Sequence, residues 1–430
     1  MTDANTAGAH HVVADAHRDH WALVLAATAR VTRDLDLAEE CVQEAYAQAL
    51  VGWARFGTPD NPAAWLVTTA RRRALDANRR EQVFRAKLPL LAVPDQTGDD
   101  GPDPGDDIPD DRLRLMFTCC HPALARDARV ALTLRLVCGV GTGDIAHAFL
   151  VSEATMAARL TRAKKKIATA QIPFRIPAQK DLPDRLDAVL SAIHLLYTTG
   201  HTAPSGDQLL HADLLDQAVH LGRTLNVLMP DEPEVSGMLA LLLLIDARRA
   251  TRADAHGRLL PLAEQDRARW DRAAIAEGRE LVLRGMRRGQ PGRYLLQAAI
   301  AALHAEAAKF EDTDWPQIVT LYDALRRVWP SPVVDLNRAV ALAMATDAAT
   351  GLREIASLEG DARLARYHYL PAIKADLLSR LGRYDEAAGA FRTAVEMTDN
   401  TAEREYLATR LAELAGAGEQ RGNASQARGE

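Results

Sequence analysis

Apolar residues recur every three or four positions through most of this chain, and few stretches alternate apolar and polar residues with a period of two. Alanine and leucine, which favour helices, are abundant, whereas aromatic residues make up only 5% of the 430 residues. Helical spacing runs through 12–31 and 37–53, and a third helix is predicted to begin at Pro62 with Asn61 as its N-cap. The pattern predicts an all-α protein.

A segment at 89–111 interrupts the helical pattern. It holds five prolines, three glycines and many aspartates, and such a composition cannot bury enough apolar surface to fold alone. We therefore expect a helical domain at 10–88, a flexible acidic linker at 89–111 and a second helical domain at 112–172.

The second domain ends in the pattern of a helix-turn-helix, GTGDIAHAFLVSEATMAARLTRAKKKI. Thr142 is predicted to cap a short helix that runs to Phe149, and Ser152 is predicted to cap the longer helix after it. Apolar residues fall where two such helices pack, and the remaining positions of the second helix face outward. The predicted packing residues are Ile145, Ala146, Phe149, Val151, Met156 and Leu160, and the predicted outward residues are Glu153, Thr155, Arg159 and Arg162.

The chain from 183 to 414 is helical again and contains a weak internal repeat. Helix pairs are predicted at 331–360 and 367–400, offset by 36 residues, with a third pair upstream at 294–330. The stretch LGRYDEAAGAFRTAVE is typical of the second half of a tetratricopeptide unit, with small residues where paired helices approach closely. We expect a helical-repeat domain at 183–414 and a disordered tail at 415–430.

The net charge of -6 conceals a strong segregation of charge. Residues 71–87 carry seven Lys or Arg against two acids, 95–111 carry eight aspartates and no basic residue, and 159–166 carry five basic residues and no acid. Two basic segments on either side of an acidic linker suggest two nucleic-acid-binding modules on a tether.

Several other classes of protein are disfavoured. The longest apolar run, 238–245, is far shorter than a bilayer requires, and the polar N-terminus does not fit a secretory signal, so we expect a cytoplasmic protein without a membrane partner. The neighbours Cys119, Cys120 and His121 point in different directions and cannot easily meet at one ion. We expect no metal and no cofactor, and both cysteines are interpreted as small buried hydrophobes. The sequence contains no glycine-rich phosphate loop and no nucleophile motif of the kind that indicates an enzyme, so we expect a protein without catalytic activity.

The third helix combines a tryptophan with a basic stripe. Such a helix can hold phosphates while its polar and aromatic side chains receive unstacked bases, as single-strand binders require. The residues concerned are Trp65, Arg71, Arg72, Arg73, Asn78, Arg79 and Arg80.

These motifs together resemble a known family. DLAEECVQEAYAQAL followed by NPAAWLVTTARRRALDANRR resembles region two of the extracytoplasmic-function (ECF) sigma factors of bacterial RNA polymerase, and the helix-turn-helix at 144–167 is similar to their region four. The resemblance covers about two fifths of the chain, 12–172. LLYTTGH, DARRATR, AEQDRARWD and TDWPQIVTLYDAL, in that order, resemble the tetratricopeptide-like extension of one subgroup of these factors.

The resemblance implies a role for each segment: an acidic helix that docks on core RNA polymerase, a helix that reads and helps open the minus-ten element of promoter DNA, and a recognition helix for the minus-thirty-five element. The implied polymerase-binding residues are Asp36, Glu39, Glu40, Gln43 and Glu44; the minus-ten residues are those of the basic stripe with Trp65; and the minus-thirty-five residues are Ser152, Glu153, Thr155, Arg159, Arg162, Lys164, Lys165 and Lys166.

The sequence therefore predicts a dissociable initiation factor with no catalytic chemistry of its own. Two alternatives remain open. The first is a helix-turn-helix activator whose tetratricopeptide-like domain senses a ligand or protein. The second is a helical scaffold that binds no DNA, which would leave the segregated charges unexplained. Whether the protein is an initiation factor or an activator, we expect a regulatory protein or ligand to bind at its C-terminal domain.

Overall fold

The structure is a computed structural model that describes residues 2–86, 111–149, 151–177, 183–201, 212–254, 258–398 and 400–426. It divides into two compact units, Met1–Leu196 and Tyr197–Glu430. The described residues contain helices and one isolated antiparallel bridge, Ala253 to Leu259, but no strand. The all-α prediction is confirmed. The predicted linker lies outside the described residues except for Asp111, the first residue of a helix.

Three mutually packed helices form the first part of unit 1: α1 (Thr2–Thr32), α2 (Leu35–Phe56) and α3 (Pro62–Ala86). The predicted cap at Asn61 is confirmed, since its Oδ1 accepts a hydrogen bond of 3.0 Å from the backbone N–H of Ala64. Asp34 caps α2 in the same way, accepting from Asp36 and Leu37 at 2.8 and 2.9 Å. Both starts are therefore fixed by local side chains.

Shorter helices follow: α4 (Asp111–Cys119), α5 (Arg126–Leu132) with a π-helical turn at Thr133–Val137, α6 (Thr142–Ala148) and α7 (Glu153–Thr169). The predicted cap at Ser152 is confirmed, since its side chain accepts from the N–H of Thr155 at 3.2 Å. The predicted cap at Thr142 is wrong. The first backbone hydrogen bond of α6 runs from Ile145 to the carbonyl of Gly141, so Thr142 is already inside the helix.

The four cysteines, Cys41, Cys119, Cys120 and Cys138, are all buried and free. This confirms the interpretation of Cys119 and Cys120 as small buried hydrophobes. No group of three or more potential metal ligands is found in the part of the chain that the structure describes.

The remaining helices are α8 (Pro183–His201), within which the boundary between the units falls, α9 (Ala212–Leu228), α10 (Pro233–Asp246), α11 (Arg272–Arg288), α12 (Arg293–Glu306), α13 (Trp315–Val328), α14 (Pro332–Ala345), α15 (Ala348–Ala356), α16 (Tyr369–Arg380), α17 (Tyr384–Met397) and α18 (Thr401–Gln426). The predicted helix pairs are present as α12 with α13, α14 with α15 and α16 with α17.

Unit 2 is built from small cores in series. One lies between α12, α13 and α14, the next between α14, α15 and α16, and a third between α16, α17 and α18. From α13 onward each helix packs mainly against its neighbours in the chain, as in helical-repeat proteins, whereas α10 also packs extensively against α12. Gly237 allows α10 and α12 to approach closely, because a Cβ there would lie 2.5 Å from the backbone nitrogen of Leu295.

The end of the chain differs from the prediction. Helix α18 continues to Gln426 through residues expected to form a disordered tail. The segment contains no proline, and its Ala, Glu, Gln and Arg residues, whose helix propensities are high, outnumber its four glycines. No described helix is long and apolar enough to span a bilayer.

Candidate nucleic-acid interface

Helix α3 has one apolar face and one basic face. Leu66, Ala70 and Ala74 are fully buried against α1 and α2. On the opposite side the basic residues are exposed or half-buried: Arg71, Arg72, Arg79 and Arg80. The exposed guanidinium groups suit contact with phosphates.

Trp65 lies near the start of α3 and is half-buried. Its ring packs edge-on against Trp53, with ring centroids 5.6 Å apart and planes at 67°. Trp53 is only 4% exposed, so it holds Trp65 from the core side. The remaining surface of Trp65 lies at the N-terminal end of the basic helix.

Two residues of the predicted minus-ten set make contacts inside the domain. Arg73 forms an ion pair with Glu44 on α2. Asn78 donates from Nδ2 to the carbonyl of Val31 at 3.1 Å, which ties α3 to the end of α1. The structure thus brings Arg73 of the DNA-binding set together with Glu44 of the polymerase-binding set.

Helices α6 and α7 form the predicted pair around a shared apolar contact. Ile145, Ala146, Met156 and Leu160 are buried, whereas Phe149 and Val151 are half-buried. The exposed side of α7 carries both polar and basic residues: Ser152, Glu153, Thr155, Arg162, Lys165 and Lys166. This side is free of the core and has the charge needed for duplex DNA.

Arg159 and Lys164 are the two basic residues of α7 that are half-buried. The Arg159 guanidinium lies 3.5 Å from a carboxylate oxygen of Asp127 and 5.7 Å from the centre of the Phe149 ring. It is therefore already held in place on the side of α7 that faces α5.

Lys164 reaches the acidic face of α2. Its Nζ lies 2.5 Å from Oδ1 of Asp36 and 2.9 Å from Oε2 of Glu39. Burial alone would lower the pKa of Lys164, but hydrogen bonds to the two carboxylates outweigh burial and raise it. Lys164 is thus held as a cation between two acids.

Arg135, on the π-helical turn, binds the other oxygen of Glu39 at 3.1 Å. Its guanidinium also lies 5.7 Å from the ring of Trp21 on α1. Glu39 is only 8% exposed as a result, whereas Asp36, Glu40, Gln43 and Glu44 are exposed. A cleft of about 340 Å³ between α2 and α7 is lined by Asp36, Glu39, Glu40 and Gln43 together with Arg135 and Lys164.

Comparison with known proteins identifies both halves of unit 1. Residues 16–83 match the family described as Sigma-70 region 2, and residues 114–167 match Sigma-70, region 4. The chain belongs to the sigma-70 family. It is an ECF-like sigma factor with a helical C-terminal extension, and its two sigma regions serve promoter recognition.

The extension of this sigma factor also has relatives. Residues 185–286 match a family of unknown function, DUF6596. Over 395 residues the chain is 44% identical to "Uncharacterized protein R00370" of Rhizobium meliloti (strain 1021), a match that covers 91% of this chain and 93% of that protein. No solved structure matches the chain. The extension is therefore part of an architecture shared along nearly the whole length of both proteins.

The sequence did not single out Arg135, although it joins regions two and four of this sigma factor. The available signal was a lone arginine within the apolar run ALTLRLVC, since a charge in such a run is costly unless it has a partner. The partner, Glu39, lies 96 residues away in the chain.

Proposed function

We propose that this sigma factor binds core RNA polymerase, directs it to promoters through minus-ten and minus-thirty-five contacts, and helps to open the DNA. The observation that carries the proposal is the presence of regions two and four in order on one chain, each with an exposed basic helix face. An activator acting on duplex DNA alone would not need a region two.

Helix α3 is proposed to act at the minus-ten element. Arg72, Arg79 and Arg80 would contact phosphates, while the open surface of Trp65 would stack on a base released from the duplex. Binding energy gained only from an unpaired base favours strand opening. Arg73 and Asn78 would position α3, because their polar groups are bound within the domain.

Helix α7 is proposed to act in the major groove at the minus-thirty-five element. Recognition helices of this motif contact base edges through residues near their N-terminus. Here Glu153 and Thr155 occupy that position behind the Ser152 cap, and Arg162, Lys165 and Lys166 extend the exposed basic side. These residues would supply the base and phosphate contacts, respectively.

The acidic face of α2 is proposed to dock on a basic surface of polymerase. Asp36, Glu40, Gln43 and Glu44 are exposed for this purpose. Asp36 and Glu39, however, are paired with Lys164, so docking through them requires region four to leave region two. The factor would thus exchange an internal set of ion pairs for one with polymerase.

Run-off transcription with core polymerase and a defined promoter tests this function. We expect transcription with the native factor and none with the triple variant Arg72→Gln, Arg79→Gln, Arg80→Gln, which should still be captured by core polymerase. The matched control removes three exposed arginines from α11, Arg279, Arg287 and Arg288. Equal loss of core binding in the α3 variant, or equal loss of transcription in the control, would contradict the assignment.

A further inference from the structure

Three arginines and two histidines converge in the C-terminal extension where three helices end. His201 is the last residue of α8, Arg248 and Arg252 follow α10, and His304 lies in the last turn of α12. Arg267 begins a short 3₁₀ helix and lies within electrostatic range of both Arg248 and His304. We refer to Arg248, Arg252, Arg267, His201 and His304 as the cationic cluster.

Two of the arginines in the cluster make hydrogen bonds to nearby helix ends, which partly explain their burial. Arg252 donates to the carbonyl of His201, and Arg267 donates to the carbonyls of His304 and Ala307 at 2.6 and 2.7 Å. Carbonyl groups at a helix C-terminus carry partial negative charge and favour such cations.

Arg248 has no such explanation. It is half-buried, and its guanidinium makes no hydrogen bond or ion pair with any residue that the structure describes. Its neighbour Arg249 is the opposite case, bound at 2.8 Å to both Asp246 and Asp216. Burial lowers the pKa of Arg248, and Arg267 lowers it further. Tyr197 offers no negative charge in return, because burial raises its pKa and keeps it protonated.

Two further nitrogen atoms of the cluster have no hydrogen-bond partner among the described residues. Arg267 is only 7% exposed, and its Nη2 is buried and makes no hydrogen bond. Nδ1 of His304 is likewise buried and makes no hydrogen bond. Burial and the field of the arginines lower the pKa of His304 to about 4 and that of His201 to about 2. The histidines therefore stay neutral and add no charge, but the arginines cannot lose theirs.

The acids near the cluster serve residues other than Arg248, since Glu311 and Asp312 favour the charged form of Arg267 through their field. Asp246 binds Arg249, and Glu403 contacts His368 at 3.2 Å and accepts a hydrogen bond from Tyr369. Glu403 acts on Arg252 only through its field. Arg248 is therefore left without a negative partner among the described residues, and Nη2 of Arg267 is left without a hydrogen-bond acceptor. An anion bound beside Arg248 would supply the negative partner that the described residues do not.

We propose that the cationic cluster binds a small ligand carrying a phosphate or carboxylate group, held by Arg248, by Nη2 of Arg267 and by Nδ1 of His304. Guanidinium groups present planar pairs of N–H donors that match the oxygens of either group, and such charge-assisted bonds are about twice as strong as neutral ones. The site would make the extension a sensor of a small oxyanion, independent of DNA.

The test uses the full-length protein in a chloride buffer at constant ionic strength, with inorganic phosphate and succinate as separate probes. Isothermal titration calorimetry should show saturable binding of at least one probe, and the choice between them gives the class of headgroup. Histidine NMR should show the pKa of His201 and His304 rising when the probe binds, because an anion offsets the field of the arginines. Neither measurement needs polymerase or promoter.

Two variants make the result specific. Arg248→Gln should weaken probe binding about tenfold or more, while Arg392→Gln, an exposed arginine of α17, should not change it. Without the probe, Arg248→Gln should leave the melting temperature unchanged or raise it, because it removes an unpaired cation. Arg248→Lys keeps the charge but loses the planar fork, so it should bind the probe at intermediate strength. Absence of saturable binding of both probes to the native protein, or equal binding by Arg248→Gln, overturns the proposal.

Discussion

Replacing Lys164 with glutamine should separate regions two and four and make the polymerase-binding face more available. Lys164 lies between Asp36 and Glu39, and the side chains of Lys164 and Glu39 are only 15% and 10% exposed. The substitution keeps most of the side chain but removes its charge. Glu39 keeps one partner, Arg135, so the acid is not left unpaired.

The magnitude follows from distance and environment. Two unit charges about 3 to 4 Å apart attract by roughly 4 to 5 kcal/mol at an effective dielectric constant near 20, and removing both ions from water offsets part of this. A net loss of about 2 kcal/mol is expected for the contact between regions, which is roughly a 30-fold change in the ratio of closed to separated forms. Packing of α1 against α4 remains and limits the effect.

The assay is equilibrium binding of the full-length factor to core polymerase without promoter DNA. Lys164→Gln should bind more tightly, by up to roughly 30-fold if the closed form dominates. Lys165→Gln is the matched control, because it removes the same charge one residue away from an exposed position. If the two variants bind core polymerase with equal affinity, the contact between Lys164 and the acids of α2 does not restrain the factor.

Three further outcomes are expected. The free energy of unfolding, followed by urea denaturation without added oxyanion, should fall as pH drops from 7 to 5. In the folded protein His201 and His304 have lowered pKa values of about 2 and 4 and stay neutral, whereas in the unfolded chain they gain protons below about pH 6.5. Each histidine should therefore reduce the free energy of unfolding by roughly 2 kcal/mol at pH 5. A free energy of unfolding that does not change with pH would contradict this. Gly237→Ala should destabilise unit 2 by about 1 to 3 kcal/mol through overpacking, whereas Gly389→Ala, which meets no atom within 4 Å, should raise the melting temperature, and calorimetry compares the two. Arg162→Gln should weaken binding about equally at different promoter sequences and lower its salt dependence, because Arg162 is assigned a phosphate contact. An unchanged footprint at physiological salt would remove Arg162 from the interface.

The helices could be predicted because their signals are local. Asn61 and Ser152 cap their helices through hydrogen bonds to residues three positions away, and the apolar spacing between them is periodic. The start of α6 was misplaced by one residue because Thr142 has the right side chain, but the backbone places Gly141 before the helix. Local sequence preferences indicate the region in which a helix begins or ends more reliably than they indicate the exact residue.

The contacts that connect the domains could not be predicted in the same way. Lys164 and Glu39 are 125 residues apart, and nothing in either segment specifies the other. The cationic cluster is a stronger case, since its arginines lie in two separate motifs and its two histidines are about 100 residues apart in the chain. Convergence of helix ends brings them together, and that convergence depends on packing over the whole of unit 2.

The rate at which each buried thiol is alkylated can report how often the sigma region around it opens. Burial raises the pKa of Cys41, Cys119 and Cys138 and raises that of Cys120 to about 11, so a small alkylating reagent can react only after the surrounding helices part. The reaction rate at each thiol is then set by the population of the opened form. Cys41 reports on region two, and the other three report on region four. The native chain can therefore be probed without introduced labels, free or bound to polymerase, to learn which region loosens first.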